Sequence, residues 1–142
     1  MASQVVHTET RIARSADEVW AVIADVNAYA QWNPMYRFEG TRLEEGSAAT
    51  LIITLGRFPA KIPVLVEEVV EGALFRWGSG NRFVGGSHFL RVEPISATES
   101  RLVHGETFRG LGLIWPLATR RIHAEYQKVA DALRDRVESQ GA

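Results

Sequence analysis

The sequence predicts an α+β domain in which a meander of antiparallel strands is closed by one long C-terminal helix. Three observations predict it. From residue 35 to residue 110 the chain is a succession of short β-branched and aromatic runs punctuated by Gly and Pro. The links between these runs are short, which favours antiparallel neighbours. Beyond residue 115 the pattern changes to apolar residues at every third or fourth position, the period of a helix.

In order, VVHTETRIA opens as a strand with Val6, Thr8, Thr10 and Ile12 on one side. SADEVWAVIADV then takes a helical period. Ser15 and Glu18 form a capping box, in which each side chain satisfies a free backbone N–H at the helix start. Asn27 is placed to cap a second short turn through AYAQW, which Asn33-Pro34 stops because the residue before proline avoids the helical region. Strands are expected in MYRFEGTRL, SAATLIITLG, AKIPVLVEEVVEG, ALFRWGSG, GSHFLRVEPI and ESRLVHGETFRG, with Gly72 dividing the third from the fourth. GRFPAKIP around Pro59 and GSGNRFVGG read as loops. The closing helix carries Trp115, Ala118, Ile122, Tyr126, Val129, Leu133 and Val137 on one stripe, with Arg121, Lys128, Asp131 and Asp135 opposite and Pro116 in the first turn. About 25 residues make a helix of ~37 Å, long enough to cross a strand of ~33 Å.

With 142 residues the chain is expected to form one domain over 1–142. Its 46% apolar and 23% charged residues are an ordinary globular composition. The net charge of −1 and the lack of a basic stripe give no electrostatic case for nucleic acid. No cysteine is present, which excludes disulfides and thiol chemistry and fits a cytoplasmic location. MASQVVHTET lacks the pattern of a signal peptide. VWAVIA and LGLIWPLA fall far short of the ~20 residues a membrane span needs, so no stable membrane insertion is expected. The second run, followed by Arg120 and Arg121, reads as the entry of the helix into the core or as a weak membrane-touching edge.

Several local signatures accompany this order of elements: ADEVWAVIADVNAYAQWNP, LFRWG, and GSHFLRVEP followed by RLVHGETFRGL. Together they resemble the START-like (SRPBCC) superfamily, and within it the polyketide cyclase/dehydrase-like group, over nearly the whole chain. The resemblance implies a helix-grip fold: two short helices after the first strand, and a curved antiparallel sheet of about seven strands wrapped around the C-terminal helix. It implies a cavity between sheet and helix for lipids, polyketides or other apolar molecules, with cyclisation, dehydration or hydrolysis in some members. Chaperone-binding relatives also exist. No common catalytic motif transfers to this sequence.

A cavity is also expected on physical grounds, since one helix cannot fill a strongly curved sheet along its length. Trp32, Tyr36, Phe75, Trp77, Phe108 and Trp115 are the aromatic candidates for its lining, against the plainer reading that they fill the core. The sharpest feature is ionisable. Strand alternation puts His88 beside Leu90 and Val92, and His104 and Glu106 beside Leu102 and Phe108, on an apolar face. A buried carboxylate is costly unless paired. Glu106 with His88 or His104 is therefore an acid–base pair, a ligand anchor or a structural network, unless a bulge at Gly105 turns Glu106 outward.

Neither a phosphate loop nor a nucleophile elbow occurs, and Ser87 faces away from His88. His123 and Glu125 do not share a helix face, and no metal-ligand spacing appears, so neither metal nor cofactor is expected. The first reading is a binder of a small hydrophobic molecule. The alternatives are a cofactor-independent cyclase/dehydratase-type enzyme using Glu106 and His88 or His104, and a protein-interaction module with a filled core. Nothing in the sequence sets the oligomeric state.

Overall fold

The computed structural model describes residues 3–55, 58–81, 83–110 and 116–140. The chain runs β1 (Ser3–Ile12), α1 (Ala16–Ala24), a 3-10 helix (Val26–Gln31), β2 (Tyr36–Glu39), β3 (Ala48–Leu55), β4 (Phe58–Val70), β5 (Leu74–Gly80), β6 (Gly85–Ser96), β7 (Glu99–Arg109) and α2 (Pro116–Gln140). The strands form a curved antiparallel sheet in the order β1-β7-β6-β5-β4-β3-β2, gripping α2. This is the helix-grip fold that the resemblance implies.

Local chemistry explains most boundaries. The capping box is made: the Glu18 N–H donates to Ser15 Oγ at 3.2 Å and the Ser15 N–H to Glu18 Oε1 at 3.4 Å. Gly72 takes a positive φ of 81° in the β4–β5 turn, where a side chain would be strained. The β4–β5 register shifts between Val66 and Glu68, a bulge that bends the sheet locally.

Three sequence expectations change. GRFPAKIP is not a loop, because β4 already starts at Phe58. Pro59 and Pro63 pair with Thr54 and Thr50 on β3, while the pairing to β5 begins only at Leu65. This half of β4 therefore has one ladder, and the missing proline N–H is not needed on its free side. Asn27 does not cap the 3-10 helix. Its amide instead clamps Thr41, donating to the Thr41 carbonyl at 3.1 Å and accepting from the Thr41 N–H at 3.0 Å. MYRFEGTRL yields only the four residues of β2.

The core sits between the inner sheet face and α1 and α2. Ile12, Val19, Ile23, Leu102, Leu133 and Val137 belong to it, each at most 2% exposed. Burying a side chain of this size contributes about 1.5–3 kcal/mol. In α2, Tyr126, Val129, Leu133 and Val137 point inward as the helical stripe requires. Trp115 and most of LGLIWPLA lie outside the described residues; Arg120 and Arg121 are exposed.

Candidate functional site

The β6–β7 register builds the site. Val92 lies opposite Leu102, Leu90 opposite His104, and His88 opposite Glu106, with no register shift at Gly105. The bulge that would have turned Glu106 outward is absent from this ladder, and strand alternation carries the carboxylate to the inner face. His88 is 7% exposed and His104 fully buried.

These groups form one continuous network. His88 and Glu106 meet at 3.2 Å through Nδ1 and Oε1. The Tyr126 hydroxyl donates to the same Oε1 at 2.6 Å. The Nε2 atoms of His88 and His104 are 2.7 Å apart. His104 Nδ1 lies 3.2 Å from the Tyr126 carbonyl oxygen, and the Tyr36 hydroxyl lies 3.1 Å from His104 Nε2. Trp77 stacks on His88 with ring centres 4.6 Å apart and planes 7° apart, which fixes the imidazole plane. Gly86 completes the fit, because a Cβ there would collide with the Glu106 carboxylate.

Burial, the nearby His88 and a weaker opposing hydrogen bond to the Tyr126 carbonyl leave His104 with a pKa well below the usual histidine range. For Glu106, burial pushes upward, but the hydrogen bond and charge of His88 together with the Tyr126 hydroxyl bring it below the ordinary carboxylate value. Burial, then the Glu106 charge, raises Tyr126. Chiefly burial raises Tyr36. The site thus favours a carboxylate on Glu106, neutral His104 and protonated tyrosines.

A cavity of about 130 Å³ opens beside the pair. Ile53, Ile62, Val64 and Trp77 give it apolar walls, and His88 and Glu106 give it a polar end. Of the sequence candidates, Trp77, His88 and Glu106 line it. Tyr36 and His104 stand behind them in the network. Phe75 and Leu90 are fully buried in the core. Trp32 packs on Tyr29 and borders a separate recess with Asp25 and Arg136. Phe108 is half-buried opposite Gly86 and is not among the described lining residues.

Sequence reasoning missed Tyr126 as a site residue, treating it as one more member of the helix stripe. The available signal was its hydroxyl, since a buried tyrosine O–H needs a partner. Among the described residues no group of three or more His, Cys, Asp or Glu could hold a metal ion. None of the described helices is long and apolar enough to cross a membrane.

A curved sheet gripping a long helix, here with a part-polar cavity whose described lining comes from β3 to β7, is the helix-grip arrangement of START-like (SRPBCC) proteins. Sequence comparison narrows this: residues 3–138 match the family model described as polyketide cyclase / dehydrase and lipid transport, and the chain belongs to that family. No curated protein matches the chain. Among solved structures it is similar to the Zhui aromatase/cyclase of Streptomyces sp. R1128, with TM-score 0.78 and 19% identity over 99% of this chain and 97% of that one. A START superfamily protein of Mycobacterium smegmatis gives TM-score 0.79 and 19% identity over 96% and 98%. A norcoclaurine synthase of Thalictrum flavum gives TM-score 0.68 and 16% identity over 99% and 98%. At these identities the likeness is one of fold.

Proposed function

We propose that the protein binds a small, mostly apolar, ring-sized molecule in this cavity, with Glu106 and His88 at its polar end. The observation that carries the reading is the cavity itself: about 130 Å³, with aliphatic and indole walls and one carboxylate–imidazole pair. An apolar cavity of roughly 150 Å³ accommodates benzene. The space therefore suits a single ring better than a long acyl chain, and the few polar groups suit orientation rather than bulk affinity. An interaction module would have a filled core here, so the cavity favours a ligand.

The test is a titration with toluene followed by ¹H–¹⁵N NMR. Saturable shifts at the Trp77 indole and the Gly86 amide are expected. Shifts confined to other parts of the molecule, or none, would overturn the reading.

A second reading is acid–base catalysis without a cofactor. The observation favouring it is that the His88–Glu106 pair reaches the cavity rather than being sealed behind it. Acetophenone is a ring-sized enolisable probe. Faster exchange of its methyl protons with deuterated water, lost in Glu106→Gln, is the expected result for an enzyme. Exchange at the solvent rate in the wild-type protein removes this reading and leaves binding intact.

A further inference from the structure

The hydrogen-bond network restricts the chemistry of whatever occupies the cavity. The restriction starts at the Tyr126 carbonyl, which can only accept. His104 Nδ1, at 3.2 Å from it, must therefore carry a proton. His104 is fully buried and neutral, so its Nε2 carries none and accepts. The Tyr36 hydroxyl and His88 Nε2 converge on that nitrogen at 3.1 and 2.7 Å. His88 Nε2 must then be a donor.

The other side of His88 follows. Its Nδ1 faces Glu106 Oε1 at 3.2 Å, and a hydrogen bond there needs one proton between the two atoms. That proton makes either an imidazolium beside a carboxylate or a neutral imidazole beside a carboxylic acid protonated on Oε1. In both arrangements the second oxygen, Oε2, has no proton and is an acceptor. Both described donors, Tyr126 and His88, go to Oε1. Oε2 lies on the Gly86 side, where the missing Cβ leaves room for it, and both residues line the cavity.

Resting on the reading that the cavity takes a ring-sized ligand, we infer that this ligand presents a hydrogen-bond donor, a phenolic O–H or a ring N–H, to Glu106 Oε2. A ligand whose polar atom is a carbonyl would place acceptor against acceptor, and a carboxylate would add a like charge. Tyr126 and His104 act here as positioning residues. Neither lines the cavity, yet between them they set which atoms at its polar end can donate.

The experiment uses the wild-type protein and three probes of similar size: toluene, phenol and benzaldehyde, each titrated by NMR at neutral pH. A hydrogen bond to a charged group is worth about tenfold in affinity. Phenol should bind about tenfold more tightly than toluene, and benzaldehyde no better than toluene. Equal affinity for phenol and toluene, or tighter binding of benzaldehyde, overturns the donor rule while leaving the cavity reading standing. If none of the three binds, both fall.

An independent measurement needs no ligand. Long-range ¹H–¹⁵N spectra of the histidine rings should show His104 neutral with its proton on Nδ1. A proton on Nε2 instead would reverse the chain of donors and overturn the inference.

Discussion

Two rungs of the same ladder behave in opposite ways. Val92 and Leu102 face each other at one end of β6–β7, and His88 and Glu106 face each other four residues along the same inner surface. The first pair is covered by the aliphatic side chains of α1 and α2 and is at most 2% exposed. The second is held by Trp77 stacking and Tyr126 hydrogen bonding, and it borders open space. Strand, sheet face and ladder are common to both; only the side chains and what lies over them differ. At the apolar rung, volume does the work and any polar atom would be orphaned. At the polar rung the directions of hydrogen bonds decide the structure, and packing stops short.

The contrast predicts different responses to mutation. The largest expected effect is at the apolar rung. Leu102→Ala leaves a void in a closed core and should cost about 2–5 kcal/mol by chemical denaturation. Toluene affinity should stay within twofold of wild type, provided the two ends are independent. A parallel loss of binding would show that the cavity depends on packing at the far end.

Acidification should act on the polar rung instead. The folded pKa of His104 lies below its ordinary value of 6.5, so the stability it contributes is complete above about that pH and is lost as pH falls. Glu106, also lowered, adds a second loss that begins near its ordinary value of 4.5. Stability measured by urea titration should therefore begin to decline as pH falls below about 6.5 and decline more steeply below about 4.5. His104→Asn should flatten the first decline. The same slope in both proteins would assign it to other groups.

The smallest change sharpens the comparison most. Tyr126→Phe keeps the ring and the backbone carbonyl but removes one donor from Glu106 Oε1. A cost of about 1.5–3 kcal/mol is expected for a hydrogen bond to a charged group. The Glu106 carboxyl, followed by carbon NMR, should titrate higher than in wild type. An unmoved titration would place the hydroxyl outside the network.

How much of this was readable beforehand differs between the rungs in the same way. Alternation along β6 and β7 was enough to bring His88, His104 and Glu106 to the inner face, because parity is a local property of a strand. The capping box and the α2 stripe were readable for the same reason. Contacts between distant segments were not. That Tyr36 reaches His104 across 68 residues depends on where β2 lies relative to β7. Tyr126 looks like an apolar stripe member until its hydroxyl meets Glu106. Pro59 looks like a loop marker until the partial pairing of β4 is known, and Asn27 looks like a cap until Thr41 folds back onto it.

The sheet order has one more consequence. β1 is laid down first, yet its ladder partner is β7, so the hydrogen bond from Thr8 to His104 joins residues 96 apart. A chain emerging from the ribosome must hold β1 without this neighbour until β7 has been made. Pairings this distant belong to slow-folding topologies, with times of milliseconds to seconds. The histidine–glutamate network draws on β2, β6, β7 and α2, so it comes together only once α2 has been made.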